Sequence, residues 1–190
     1  MVDRRQEIIL AATKSFSLFG FKATTMDQIA KIANVGKGTI YTFFENKDIL
    51  FQEIVLRMIN EMKTEAQNVL KEEASFQENA HHALMKMLEF RETHQLFAKI
   101  IAEEKELRTP AVQQVLIQIE QEIVSFIQTK MEKAISKGEI SNVNSELVAY
   151  LLFKAYLAFV VDWDLTHKEP LSEESIATLF QDTIFRSLLI

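Results

Sequence analysis

Turn-forming residues are scarce in this chain, and their scarcity constrains the fold more than any other feature. Only four Gly and two Pro occur in 190 residues, so there are few points at which glycine or proline can interrupt a helix. Apolar residues instead recur at intervals of three and four, which is the helical spacing. The sequence therefore predicts an all-α fold, and the segments between cap residues number nine.

Residues that cap helix ends set the boundaries near the N-terminus. A first helix is predicted from Asp3 to Phe19, with Phe16 and Phe19 on its buried face. Residues 25–28, TMDQ, have the form of a capping box that opens a second helix. Asn34 suits the left-handed conformation that ends a helix. The next helix begins at Lys37, so the chain predicts two helices joined by a tight turn.

The third helix and the body continue this pattern. Ile40, Phe43 and Phe44 are predicted to form the inward face of the third helix. Thr109 is predicted to cap a helix of nearly thirty residues that stops at Gly138. The acidic run at residues 103–106 is interpreted as a solvated helix face.

The most apolar segment, from Leu147 to Val161, is predicted to be a buried helix and not a membrane span. A spanning helix needs about 20 apolar residues, and Lys154 interrupts this run. The N-terminus lacks the apolar core of a signal peptide, and the chain has no cysteine, so disulfides and thiolate metal sites are excluded. We expect a cytoplasmic protein without a metal or cofactor.

An enzymatic function is not indicated. The four histidines, at positions 81, 82, 94 and 167, do not have the spacing of a metal site. The carboxylates are scattered over polar faces, and the sequence contains no glycine-rich phosphate loop or nucleophile motif. We therefore expect a protein that acts by binding.

Charge is unevenly distributed along the chain. The net charge is −6, but residues 1–50 carry seven basic and five acidic side chains, a net charge of +2, which leaves −8 for the remainder. A basic head on an acidic body is typical of a protein that brings only one part of itself to DNA. We expect a DNA-binding domain at residues 1–48 and a second domain at residues 49–190.

The segment from Ile8 to Phe51 resembles the DNA-binding domain of the TetR family of bacterial transcriptional regulators. The resemblance rests on FGF at residues 19–21, ATTM at residues 23–26, VGKGTIY at residues 35–41 and NKDIL at residues 46–50. Asn34 and Gly36 stand where many members have Gly and Ser, and both substitutes are compatible with the caps concerned. The resemblance implies a nine-helix architecture, with a helix-turn-helix head on a helical ligand-binding and dimerisation body.

Geometry and resemblance together assign residues to a DNA interface. The first turn of a helix that begins at Lys37 can enter the major groove, where the lysine would donate to guanine. Thr39 or Thr42 would contact a base, and Gly38 would permit close approach. In the TetR family the positions of Tyr41 and Lys47 hold backbone phosphate. The predicted interface comprises Thr25, Lys37, Gly38, Thr39, Tyr41, Thr42 and Lys47.

The body is predicted to bind a small molecule and to form a homodimer. The resemblance implies an effector whose binding separates two DNA heads, and the aromatic and methionine content favours an apolar compound. The candidate ligand contacts are Phe90, His94, Phe97, Phe126 and Trp163. The eighth and ninth helices are predicted to pack against their copies, which would present two heads to a palindromic operator.

Two functions of different classes remain at this point. The first is a ligand-responsive transcriptional regulator, acting as a repressor on double-stranded DNA and released by an apolar small molecule. The alternative is a helical protein–protein interaction module with a basic head. Salt-dependent, sequence-selective binding to duplex DNA separates the two, because an interaction module has no reason to prefer one duplex over another.

Overall fold

The computed structural model describes residues 3–93, 95–163 and 167–190, without the side chains of residues 91–93 and 95. These parts of the chain form nine helical stretches and no sheet, apart from an isolated bridge between Ile140 and Leu189. The predicted all-α class is confirmed. The first seven helices are α1 (Arg4–Ala23), α2 (Met26–Ile32), α3 (Lys37–Phe43), α4 (Lys47–Asn68), α5 (Phe76–Thr93), α6 (Gln95–Leu107) and α7 (Pro110–Ser136).

The last two helices each continue into a π-helical segment. Helix α8 (Ser145–Leu157) is followed by the segment Ala158–Asp162. Helix α9 (Glu173–Leu179) is followed by Phe180–Phe185 and by a closing turn, Arg186–Leu188. The ring of Phe159 in the first π segment contacts that of Phe180 in the second, with centroids 6.2 Å apart. A π segment widens the helix locally, which the regular apolar spacing did not indicate.

Packing divides the chain into two units. The first unit consists of Met1–Met58 and His94–Ile119, and the second of Ile59–Thr93 and Glu120–Ile190. Helix α6 and the first part of α7 therefore pack as one unit with the N-terminal helices. This division concerns packing, whereas the expected functional boundary at residue 48 stays a prediction.

Three phenylalanine rings form the centre of the first unit. Phe51 meets Phe16 edge to face, with centroids 5.1 Å apart, and lies 4.7 Å from Phe21. Such aromatic pairs stabilise a core by about 0.5–1.5 kcal/mol beyond the burial of their area. Two sequence predictions are wrong here, because Phe19 is 55% exposed and Phe43 is 40% exposed. Each lies directly before a buried residue, Phe19 before Gly20 and Phe43 before Phe44.

An ion pair fixes α4 against α1. The guanidinium of Arg5 binds the carboxylate of Glu53 through both nitrogens, with Nη1 2.6 Å from Oε1, and Arg57 donates to the same carboxylate. Burial raises the pKa of Glu53, but the hydrogen bonds and charges of Arg5 and Arg57 outweigh it and lower that pKa below its usual value. The ion pair therefore joins the start of α1 to the first half of α4.

The second unit has a core drawn from α5, α7, α8 and α9, with Leu88, Met131, Ala149, Ile176 and Phe180 buried in it. Lys154, the charge inside the apolar run of α8, forms an ion pair with Glu120 of α7. The hydrogen bond and charge of Glu120 raise the pKa of Lys154. In the described part of the chain, no helix combines the length and the apolar character that crossing a membrane requires.

Candidate nucleic-acid interface

Helix α2 begins with the capping box that the sequence predicts. The hydroxyl of Thr25 accepts a hydrogen bond from Gln28 N at 3.2 Å, and Thr25 N donates to Gln28 Oε1 at 2.8 Å. The two residues thereby satisfy backbone groups at a helix start that would otherwise be free. Thr25 is exposed, so its position beside the start of α2 is accessible from solvent.

A tight turn joins α2 to α3. Asn34 adopts the predicted left-handed conformation, with φ of 54°, and Val35 N donates to Ala30 O at 3.0 Å. Gly36 is the N-cap of α3, and its carbonyl accepts from Thr39 N at 2.9 Å. Two short helices joined by a turn of this length form a helix-turn-helix.

Helix α3 buries one side and exposes the other. Ile40 is fully buried, and Phe44, directly after the helix, is 1% exposed. The opposite side presents Lys37, Gly38, Tyr41 and Thr42, all of them exposed, while Thr39 is half-buried. At Gly38 the backbone of α3 is open to another molecule. A Cβ atom added there would meet nothing within 4 Å.

Two hydroxyl groups on α3 differ in their surroundings. Thr42 Oγ1 donates to Thr39 O at 2.7 Å, which leaves its oxygen as an acceptor and its methyl group as an apolar contact. The ring of Tyr41 is 46% exposed, so its hydroxyl can reach a partner outside the chain.

Lys37 lies at the first turn of α3 and forms an ion pair with α2. Its Nζ is 3.0 Å from Asp27 Oδ2, and the two side chains are 67% and 53% exposed. The hydrogen bond and the charge of Asp27 raise the pKa of Lys37, so the side chain is a cation throughout the physiological range. The structure thus places the predicted base-reading lysine on the exposed side of α3 with an acidic neighbour.

Lys47, the predicted phosphate contact, has a structural role that the sequence did not indicate. Its ammonium donates to Phe21 O at 2.9 Å and Thr24 O at 2.8 Å, and lies 4.2 Å from the centroid of the Phe21 ring. Burial lowers the pKa of Lys47, against the opposing charges of Asp48 and Glu103. An ammonium has three donors, so these two carbonyl groups leave one donor of Lys47 uncommitted.

The last turn of α1, after the kink at Gly20, is held from a second side by Glu103 of α6. This carboxylate is 5% exposed and accepts from Phe21 N at 2.6 Å, Lys22 N at 3.0 Å and Thr109 Oγ1 at 2.9 Å. A Cβ atom at Gly20, where φ is +83°, would lie 2.5 Å from Glu103 Oε2. Only glycine leaves room for the carboxylate to reach the backbone at this point.

Glu103 corrects one sequence prediction. It is buried in a network of hydrogen bonds and does not lie on a solvated face. Thr109, whose hydroxyl donates to it, directly precedes α7 at the predicted position. A signal was present, because Leu96, Ile100 and Glu103 follow one another at helical spacing. A carboxylate that continues a buried apolar stripe needs partners, and here they come from backbone amides in the last turn of α1.

The predicted ligand contacts fall into both units. Phe97 is buried in the first unit, and Phe90 is buried in the second. Phe126 is half-buried beneath the ammonium of Lys130, and the Trp163 ring is stacked on His167 with centroids 3.6 Å apart. His94 lies outside the described residues. A common role in ligand binding stays a prediction for all five.

Comparison with known proteins decides the family. Residues 8–54 match the model of the N-terminal domain of bacterial regulatory proteins of the tetR family. YhgD of Bacillus subtilis (strain 168), an HTH-type transcriptional regulator, is 48% identical over 187 residues, which are 98% of this chain and 97% of the relative. The chain belongs to the TetR family. It is a DNA-binding transcriptional regulator, as the helix-turn-helix and the relatives along its full length show.

Other TetR-like proteins extend the likeness over the whole chain. UidR of Escherichia coli (strain K12), an HTH-type transcriptional regulator, is 30% identical over 184 residues, covering 91% of this chain and 87% of UidR. The structure of Bacillus subtilis FadR in complex with stearoyl-CoA is similar with a TM-score of 0.78 at 18% identity, covering 96% of this chain and 98% of that one. At that identity the likeness concerns the fold, which this TetR-family regulator therefore shares with FadR.

Proposed function

We propose that this TetR-family regulator is a repressor that binds a palindromic DNA site as a homodimer and releases it when an apolar small molecule binds in its body. Its place of action is then the cytoplasm, because that is where a bacterial genome lies. The observation that carries the DNA-binding part is the exposed side of α3, with Lys37 at its first turn and open space at Gly38.

The residues of the head have separable roles in this proposal. Lys37 donates to guanine N7 and O6, and Thr39 and Thr42 meet neighbouring base edges or a thymine methyl group in the major groove. Tyr41, Thr25 and the remaining donor of Lys47 hold phosphates, which fix the register of the protein on the duplex but carry no sequence information. The +2 charge of residues 1–50 favours the approach of this face to DNA.

The proposed homodimer rests on the surface of α8 and α9. Helix α8 is apolar on two sides, because Ala149, Leu152 and Phe153 are buried in the unit while Leu147 and Leu151 are 65% and 53% exposed. Leu179 of α9 is 42% exposed. Apolar residues at adjacent turns of one helix are typical of an interface, and a two-fold axis between copies matches a palindromic site.

The proposed effector site rests on the composition of the body and on one relative. FadR of similar fold binds stearoyl-CoA, and this chain has many aromatic and methionine side chains in its second unit, such as Phe90, Phe126 and Trp163. We assign the effector class as an apolar or lipid-like molecule. Such a ligand can weaken DNA binding only by its preference for a conformation in which the heads are wrongly spaced.

Titration of Lys37→Ala tests the proposed reading of DNA. The preferred duplex is first selected from a random-sequence pool, and a scrambled duplex of the same length and composition serves for comparison. Loss of Lys37 should weaken binding to the preferred duplex by roughly tenfold to a hundredfold and relax the preference at one base position, because a bidentate contact to guanine is lost. Lys14→Ala, an exposed lysine of α1, is the control.

The outcomes separate the roles clearly. If Lys37→Ala loses affinity for both duplexes by one factor, Lys37 contacts phosphate only, and its assignment as a base reader is wrong. If the wild-type protein itself does not distinguish the preferred duplex from the scrambled one, the proposed reading of a specific DNA site by α3 is wrong.

A further inference from the structure

An acidic side chain lies on the face that is proposed to dock DNA. Asp27 is the second residue of α2, and its Oδ2 is 3.0 Å from Lys37 Nζ. More than half of each side chain is exposed, so the pair is accessible to an approaching duplex. A carboxylate so close to phosphates is unfavourable for binding DNA in general, which makes its presence here informative.

The fold has little need of a carboxylate at this position. Thr25 and Gln28 already satisfy the backbone at the start of α2, and an exposed ion pair contributes little to stability. A negative charge near a helix N-terminus is only weakly stabilising. The remaining interaction of Asp27 is its ion pair with Lys37.

We propose that Asp27 sets the sequence selectivity of the head by withholding Lys37 from DNA that lacks the base it reads. This inference rests on the proposed function, in which Lys37 contacts guanine. Asp27 is then a specificity-determining residue that acts through another side chain and does not itself need to touch a base.

The selectivity follows from what each kind of DNA offers to Lys37. A guanine in the right place presents two acceptors, N7 and O6, at the edge of the major groove, and these replace the carboxylate as partners of the ammonium. On other sequences only phosphate oxygens are available, and the ammonium already has an anionic partner. Lys37 therefore stays on Asp27 and releases no counterions from the duplex, while Asp27 itself repels the phosphates.

The raised pKa of Lys37 agrees with this arrangement. The ammonium remains charged throughout the physiological range, so the exchange between Asp27 and guanine is a competition between two partners and involves no change of protonation. Salt concentration, rather than pH, is then the variable that reveals it.

The test compares Asp27→Asn with Asp48→Asn. Asp48 is a matched control, because it is also exposed and also stands two residues after a capping side chain, Asn46, which accepts from Ile49 N at 2.9 Å. Both variants remove one negative charge from the head. Thermal unfolding of both should stay close to that of the wild type, since neither side chain is buried.

Affinities for the preferred and the scrambled duplex are measured at several salt concentrations. Asp27→Asn should bind scrambled DNA more tightly, beyond the change caused by Asp48→Asn, by up to about fivefold, which corresponds to the upper end for an exposed ion pair. Its salt slope on scrambled DNA should steepen by about 0.9 per monomer, because Lys37 now neutralises a phosphate. The ratio of the affinities for the preferred and the scrambled duplex should therefore fall in Asp27→Asn, whereas Asp48→Asn should leave this ratio unchanged.

A double-mutant cycle with Lys37→Gln completes the experiment. In the Lys37→Gln background, Asp27→Asn should lose its additional effect and behave as Asp48→Asn does. If Asp27→Asn and Asp48→Asn show the same affinities and salt slopes when Lys37 is present, the proposal is overturned. A loss of affinity for the preferred duplex in Asp27→Asn would also overturn it, because Asp27 would then contact a base directly. If Lys37→Gln alone leaves the preference intact, it is the proposed base-reading role of Lys37 that has failed, and this inference falls with it.

Discussion

At the scale of single residues, the exposed side of α3 favours access over helix stability. Gly38 is the second residue of a seven-residue helix, and no neighbour restricts a side chain at that position. Glycine destabilises a helix relative to alanine by about 1 kcal/mol, so the fold alone would favour alanine here. We interpret the absent methyl group as the space through which a DNA backbone or base edge approaches α3.

Gly38→Ala should therefore raise stability and weaken DNA binding in one substitution. We expect the free energy of unfolding to rise by roughly 0.5–1 kcal/mol, because alanine restricts the unfolded chain and favours the helix. Affinity for the preferred duplex should fall by about tenfold, as for a methyl group forced into a close-packed contact. Chemical denaturation and DNA titration of the same preparation measure both changes. Unchanged DNA affinity would show that Gly38 does not face the duplex.

Lys47 shows that one residue can combine a structural and a binding role. Two of its donors hold the carbonyl groups of Phe21 and Thr24, which fixes the last turn of α1 and its connection to α2. The sequence could indicate the basic residue at a helix start, but it could not indicate these carbonyl partners, which lie more than twenty residues earlier. A DNA-binding defect in a Lys47 variant thus has to be separated from a loss of structure in the α1–α2 connection.

At the scale of helices, what could be predicted depended on local chemistry. Thr25 and Asn34 act where the sequence placed a cap and a helix end, because each interacts with backbone within a few residues. The exposure of Phe19 and Phe43 could not be predicted, because apolar residues occur at neighbouring positions of both helices. Which of these positions is buried depends on tertiary packing. The π segments after α8 and α9 likewise depend on contacts made by the folded unit.

Glu103 illustrates the same limit for the candidate site. Its spacing on α6 placed it on the buried stripe, but its partners are the backbone amides of Phe21 and Lys22, far away in sequence. The carboxylate thereby joins α6 to the last turn of α1, the connection that leads into the helix-turn-helix. Because α6 packs in one unit with the N-terminal helices, a movement of α6 must act on this connection or break these hydrogen bonds.

Glu103→Gln should destabilise the first unit, although it removes no volume. The carboxylate accepts on both oxygens, whereas an amide can accept on only one, so its NH₂ group would face the amide of either Phe21 or Lys22. We expect the free energy of unfolding to fall by about 1–3 kcal/mol, the effect of leaving a buried donor unsatisfied. Glu106→Gln, an exposed position of the same helix, should change it little. Equal effects of the two variants, measured by chemical denaturation, would argue against the buried network.

At the scale of the whole molecule, the apolar residues on the outer side of α8 need an explanation. Leu147, Tyr150 and Leu151 are each at least 45% exposed, although α8 already has a buried side. Lys154 does not interrupt this surface with a free charge, because Glu120 of α7 neutralises it. The proposed homodimer accounts for this surface, because a second copy would cover it and would supply the second head that a palindromic site requires.

Leu151→Glu should dissociate the homodimer. A new carboxylate in the centre of the exposed α8 surface would face its symmetry mate, and burying two unpaired charges is strongly unfavourable. We expect a monomeric mass in sedimentation analysis at micromolar concentration and a large loss of affinity for the full palindrome, with weak half-site binding retained because the head is untouched. Ile117→Glu, a comparably exposed apolar position at 59% on α7, is the matched control and should leave the mass unchanged. If Leu151→Glu remains dimeric while Ile117→Glu dissociates, the two-fold axis lies near α7 and the proposed α8 and α9 interface is wrong.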